Sequence, residues 1–343
     1  MEKNISGGKA SIGSTPIAHV MYADDIVLFS KACRREANTI NDCLEKYCRW
    51  SGQLLNKAKS RVIFSKLIHQ QTCWGIKHIL QMKNLKTYSS YFGAPLFLTK
   101  APTKDFKFQQ ERLEAKLKRW RSKTLSWAGR STLIKTVAQA LPTYTMSTFD
   151  IPTKACDKLD ALTRKFGGIQ KNPNGSYLAW LAWEKLCLPK GIGGMGFKKS
   201  KDFNKALLAK LAWMIASKRD SLCMNLLRSK YKVKENWLQS EPSKNASPIW
   251  KEIEKTKPLI AKGACYLVGN GASINVWVDP WIPWLVRFKP TPKDDSIQQN
   301  PLMVSNLIST KDHCWNLPIL NELFNSKSVE AIQKNTYSFE RQS

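Results

Sequence analysis

Residues 16–30 read PIAHVMYADDIVLFS, two apolar runs, Ile17–Tyr22 and Ile26–Phe29, broken by Ala23, Asp24 and Asp25. Aliphatic, β-branched and aromatic residues on both sides of a short polar break spell strand, tight turn, strand. Paired carboxylates there need a reason. Strands this apolar are built for a core, and buried like charges repel unless water, a cation or a basic side chain compensates them. Aspartate also favours turns for backbone reasons alone, so the dipeptide by itself says little. At a tight turn the alternation of strand side chains breaks, both carboxylates can approach one point, and Mg2+ suits one or two carboxylates completed by water and phosphate oxygens.

Around this acidic pair the chain is basic. Its 343 residues carry 55 Lys and Arg against 26 Asp and Glu, a formal charge of +29 that calls for a polyanionic partner. Nucleic acid is the first candidate and an acidic membrane surface the second, but no run of eighteen apolar residues is present and no membrane partner is expected. With 43% hydrophobic residues there is material for about two cored domains. The polar, glycine-rich start MEKNISGGKASIGSTP lacks the apolar core of a signal peptide, so the sequence reads as nuclear or cytoplasmic rather than secreted. Nine cysteines at irregular spacing, with no CxxC pair, predict reduced and mostly buried thiols instead of a disulfide framework or a zinc site. Carboxylates that can hold Mg2+ in so basic a protein point to phosphoryl transfer on nucleic acid by two metals.

The remaining pattern predicts an α+β chain. Ala37, Ile40, Leu44, Tyr47 and Trp50 recur at helical spacing before a stop at Ser51-Gly52, and RVIFS at 61–65 follows as a short strand. Hairpin, helix and strand in that order can close as one antiparallel sheet with a helix across it. Residues 88–98, YSSYFGAPLFL, read as a strand or hairpin broken at Gly93 and Pro95. Helices then take over: Phe106, Gln110, Leu113, Leu117 and Trp120 mark one face, and Leu133, Ile134, Val137 and Leu141 another that ends before Pro142. No acid lies between Glu114 and Asp150, while Lys116, Lys118, Arg119, Arg121, Lys123, Arg130 and Lys135 do. Later come helices over 201–217 and 221–231, a hairpin over 265–279 turning at Asn270-Gly271, and a helix near 317–324.

MYADDIVLF at 21–29 resembles the YADD box of reverse transcriptases, and the longer run to SGQLLNKAKSRVIFS at 51–65 resembles plant LINE-type non-LTR retrotransposon polymerases. YFGAPLF at 91–97 is similar to that family's palm-to-thumb junction, and WAGRSTLIKTVAQALPTYTMS at 127–147 to its thumb. WEKLCLPKGIGGMGFKKSKDFNKALLAK at 183–210 and LVGNGASINVWVDPWIP at 267–283 are similar to its C-terminal flank. The resemblance implies a partial palm over 1–98 (antiparallel hairpin, helix, strand), a basic helical thumb over 99–150 and a mixed flank over 151–343. It implies that Asp24 and Asp25 are metal ligands and catalytic, with Lys59 near the leaving pyrophosphate. Tyr22 and Gly93 would lie beside the nucleic acid, and Lys116, Arg119, Arg121, Lys123 and Arg130 would grip its backbone. Mg2+, deoxynucleotides and an RNA or RNA–DNA template-primer are the implied cofactor, substrate and partner.

Such polymerases also use an aspartate from a strand preceding YADD and fingers that hold the incoming nucleotide. Glu2 is the sole acid before Tyr22 here. Asp150 and Asp279 are the imaginable substitutes, each in a segment that the resemblance places elsewhere. The expectation is therefore a reverse transcriptase-like chain that does not polymerise by itself, with a nucleic-acid-binding module or a relic as the alternatives.

Overall fold

The computed structural model describes residues 5–86, 89–91, 93–99, 101–121, 125–170, 177–178, 181–234, 237–294, 300–309 and 314–335. Two compact units divide at Thr256–Lys257. The charge divides with them. Residues 1–256 hold 46 basic and 19 acidic residues, net +27, and residues 257–343 hold 9 and 7, net +2.

The first unit opens with β1 (His19–Tyr22) and β2 (Asp25–Leu28), an antiparallel ribbon as expected, with Tyr22 opposite Asp25. Helix α1 (Arg34–Ser51) follows and stops at Gly52, which takes φ 69° and donates its N–H to the Cys48 carbonyl. Ala37 and Ile40 of α1 bury against Ile76 and Leu80 of α2 (Gln70–Leu80), whose first turn is capped by His69. The apolar face is covered only in part. Tyr47 and Trp50, expected inside, are 47% and 70% exposed, because α2 has eleven residues against the eighteen of α1.

The expected single antiparallel sheet does not form. β3 (Arg61–Val62) pairs in parallel with β4 (Lys83–Asn84), since α2 lies between them and returns the chain in the same direction. β5 (Ser90–Tyr91) pairs with β6 (Ala94–Pro95), and β7 (Ile169–Gln170) with β8 (Tyr177–Leu178), so the described strands make four separate two-stranded ribbons. Mixed α+β content stands, with helices dominant.

The layer joining the ribbon to α1 is fixed by Glu36, a buried carboxylate that accepts from the Ser6 hydroxyl and, at 2.8 Å, from the Lys31 backbone N–H. Burial works to raise its pKa, but these bonds and the Lys31 charge prevail and hold the carboxyl below its usual range. The stabilisation is thus complete above the unfolded pKa and is lost as pH falls through the folded one. Glu36→Gln should cost about 1 kcal/mol at neutral pH. Hydrogen exchange at the Lys31 amide checks this: protection should fall on acidification in the wild type and show no such step in the variant.

The larger core of this unit gathers α3 (Pro102–Asp105), α4 (Lys107–Arg121), α5 (Trp127–Leu133), α6 (Thr143–Met146), α7 (Thr153–Gly167) and α8 (Trp183–Leu186) around Phe106, Leu113, Leu117, Ile134, Met146, Leu159 and Phe166. It runs across residue 150. After α5 the helix widens to π geometry over Ile134–Ala138, which keeps Ile134 and Ala138 buried. Helix α9 (Ser200–Ala216) is the hub, packed on α6, α7, α10 (Leu222–Tyr231) and α11 (Pro248–Glu254). Its first turn is stitched by polar bonds: Asp160 accepts from the Ser200 N–H at 3.1 Å and its hydroxyl at 2.6 Å, and Lys201 meets Asp150 at 2.6 Å. Asn204, fully buried, accepts from the Ile151 N–H at 2.8 Å and donates to the Met146 and Phe149 carbonyls at 2.7 and 2.8 Å. The glycine cluster before α9 has a steric cause, since a Cβ on Gly194 would lie 2.0 Å from the Leu188 carbonyl oxygen.

The second unit holds α12 (Lys257–Gly263), α13 (Leu317–Leu323) and α14 (Ser326–Gln333) with long connecting segments packed through Val276, Trp277, Trp281, Ile282, Leu307, Leu320 and Phe324. The hairpin expected over 265–279 is absent. Asn275 and Asp279 fold the backbone back on itself, with Asp279 accepting from the Asn275 N–H at 2.7 Å. Ile274 and Val276 bond instead to Val304 and Leu302. The local turn signal at Asn270-Gly271 lost to partners thirty residues away.

The loop after Pro280 is closed at its neck by the N–H groups of Trp281 and Ile282, which both donate to the Phe288 carbonyl at 2.8 and 2.9 Å. Arg287 and Phe288 take φ 58° and 61° in succession, a left-handed pair that costs about 1–2 kcal/mol per residue with a side chain.

All nine cysteines are free, as expected, yet only Cys156 is buried, where burial pushes its thiol up to about 12. Cys43, Cys223 and Cys314 are exposed.

Candidate nucleic-acid interface and carboxylate pair

Ala23 and Asp24 form the two-residue turn of the β1–β2 ribbon. Ala23 sits at φ 51°, a left-handed conformation that favours glycine. The carboxylates are not in a core. Asp24, Asp25 and Tyr22 are exposed, and so are Val20, Met21, Ile26, Leu28 and Phe29 on both faces of the ribbon. A ribbon of two strands has no further strand to complete a buried face, and α1 spends its apolar side on α2. In water the repulsion between neighbouring carboxylates is screened, so the pair requires no compensating cation.

Among the described residues no group of three His, Cys, Asp or Glu side chains converges to hold a metal ion. Of the imagined substitutes, Asp150 pairs with Lys201 within the first unit, and Asp279 caps the Asn275 turn within the second. Two exposed carboxylates supply half the charge that two divalent ions bring, so the donor set does not fit a two-metal centre. Lys59 is exposed in a turn whose backbone N–H is held by Asn56, and no described hydrogen bond or ion pair links it to the aspartates.

The tip of the ribbon has other neighbours. Burial pushes the Tyr91 phenol above its usual range, and the nearby charges of Asp25 and Tyr144 add to the push. Gly93 turns β5 into β6 at φ 75°, where a Cβ would stand 3.0 Å from an Arg112 guanidinium nitrogen. Its carbonyl accepts at 3.4 Å from the buried Thr145 hydroxyl, which in turn accepts from Gln109 at 2.5 Å. The Thr145–Gly93 bond thus ties the β5–β6 turn to α6, with the Asp25 charge near enough to be felt at Tyr91. Sequence reasoning did not find Gln109, Tyr144 or Thr145. The signal available was a glutamine adjoining the Phe106–Leu113 apolar stripe.

The basic candidates separate into groups. Lys116, Lys118 and Arg119 are exposed on α4. Arg121 closes that helix, and Lys123 lies outside the described residues. Arg130 is half-buried and donates to the Gly168 carbonyl at 3.0 Å, tying α5 to the end of α7, which gives it a structural task within the fold. Lys154, Lys158, Arg164 and Lys165 of α7 add exposed charge, and a groove of about 270 Å3 between α4 and α7 is lined by Glu114, Leu117, Lys118, Leu162 and Lys165. Exposed ammonium and guanidinium groups on two packed helices can follow a phosphate backbone without reading bases. Among the described residues no helix is long and apolar enough to cross a membrane.

No family model matches the chain. It is 34% identical over 178 residues, half of its length, to the Putative ribonuclease H protein At1g65750 of Arabidopsis thaliana, and that match spans 28% of the relative. It is also 34% identical over 144 residues, 42% of its length, to the Uncharacterized mitochondrial protein AtMg00310 of Arabidopsis thaliana. Because that second match extends over 93% of the relative, the chain belongs to the family of the mitochondrial protein AtMg00310.

Proposed function

We propose that this chain is a retrotransposon-derived, reverse transcriptase-like protein that holds an RNA or RNA–DNA template-primer through its phosphates and does not polymerise by itself. In this reading residues 19–28 are the palm hairpin and α4–α6 the thumb. The observation that carries it is the stretch of thirty-five residues without an acid between Glu114 and Asp150, with Lys116, Lys118 and Arg119 exposed in a unit of net charge +27. The inactivity follows from the donors. Mg2+ would activate the attacking oxygen and steady the leaving group, and among the described residues no third carboxylate, histidine or cysteine joins Asp24 and Asp25 to hold it. The name of the first relative, a ribonuclease H, covers a protein of which this chain matches 28%, and that activity is not carried over.

A salt titration of binding to a labelled RNA–DNA duplex tests the reading. The logarithm of affinity should fall with the logarithm of salt at a slope of about −4 or steeper, while primer extension with Mg2+ and deoxynucleotides should yield no product. A flat salt response removes the binding claim, and robust synthesis removes the inactivity claim.

A further inference from the structure

The loop Trp281–Phe288 of the second unit has a buried base and a wet tip. Trp281 and Ile282 are fully buried, and the Trp281 indole N–H donates to the Val276 carbonyl at 3.0 Å while its carbonyl accepts from the Asn335 amide at 2.9 Å. Leu285 packs on the same core. Between these anchors Trp284 and Val286 are 65% and 85% exposed, and Arg287 is exposed with no hydrogen bond or ion pair to the described residues. The neck bonds to Phe288 and the left-handed Arg287–Phe288 pair preset this shape at a conformational cost, and strain held in place by the surrounding fold clusters where a surface has a task. An indole held out with its ring in water carries a cost in apolar hydration.

We propose that Trp284 is a stacking platform for an unpaired base of single-stranded RNA or DNA, with Arg287 on the adjacent phosphate. An exposed indole offers a π-face that any unstacked base can cover, and a neighbouring guanidinium supplies the charge that the strand requires. A duplex hides its bases and gains nothing from the ring. The second unit alone, at net +2, would attract a polyanion weakly, but it is carried on a chain of net +29. The inference rests on the proposed nucleic-acid binding and adds a preference for unpaired segments through a contact that charge cannot provide.

Fluorescence anisotropy on the full chain, with a labelled unstructured twenty-nucleotide single strand and a labelled blunt duplex in parallel, separates the claims. Trp284→Ala should weaken single-strand binding about tenfold, leave duplex binding within twofold and keep the salt slope, while Trp284→Phe recovers most of the loss. Arg287→Gly, which also accommodates the positive φ, should lower the single-strand salt slope by about 0.7. Unchanged single-strand affinity in Trp284→Ala overturns the stacking role, and leaves the phosphate-binding reading intact if both probes still bind with a steep salt slope. Absent or salt-insensitive binding of both probes by the wild type overturns both claims. A Trp284→Ala defect seen only on vesicles of phosphatidylcholine and phosphatidylglycerol would assign the tip to lipid and reject the base-stacking role.

Discussion

Asn204→Ala should lower the stability of the first unit by roughly 4 kcal/mol and its melting temperature by about 10 °C. Three buried backbone groups, the Ile151 N–H and the Met146 and Phe149 carbonyls, depend on this one side chain, and alanine leaves them without partners where water does not reach. About 1–3 kcal/mol for each group left unsatisfied sets the scale, reduced by relaxation of the corner. Asn204→Asp is the discriminating control. It keeps an acceptor for the Ile151 N–H but turns an oxygen toward two carbonyl oxygens, so it should melt no higher than the alanine variant. Calorimetry on both reads the result, and an Asp variant near wild type would show that the carbonyls find other donors.

The second large effect concerns binding. Replacing Lys116, Lys118 and Arg119 together by alanine should weaken duplex affinity about 100-fold near 0.1 M salt and flatten the salt slope by roughly two to three, since each phosphate contact contributes about 0.9. All three side chains are exposed, so folding should change by no more than about 0.5 kcal/mol per site. The comparison that matters removes charge elsewhere. Lys262 and Lys327 are exposed in the second unit, and their replacement by alanine should alter affinity only a few-fold. If both sets act equally per charge removed, attraction is a property of the whole chain and α4 is no site.

How much of this was readable from the residues depends on how far each decision reaches along the chain. Helix α1 and its stop at Gly52 were legible because period and cap are local, and so were α9, α10 and the strand–turn–strand order of the YADD ribbon, although the turn takes two residues and not the three of the polar break, since Asp25 pairs with Tyr22. Burial was not. The ribbon is apolar enough for a core, but whether anything covers it depends on residues far away, and that single fact removes the argument that the aspartates need a cation. The same limit undid the hairpin at Asn270-Gly271, where distant residues 302–304 took the bonds, and the sheet through β3, where an intervening helix set the direction. Arg130 illustrates the limit for charge: a run of bases names a surface, but which member turns inward to Gly168 is decided by packing of α5 on α7.

The four two-stranded ribbons have a kinetic meaning. A continuous sheet shares its ladder, so fraying one strand weakens the next, whereas here each pair closes only on itself. The strand regions can therefore open one at a time while α4, α7 and α9 stay shut, giving the YADD tip a local clock much faster than that of global unfolding.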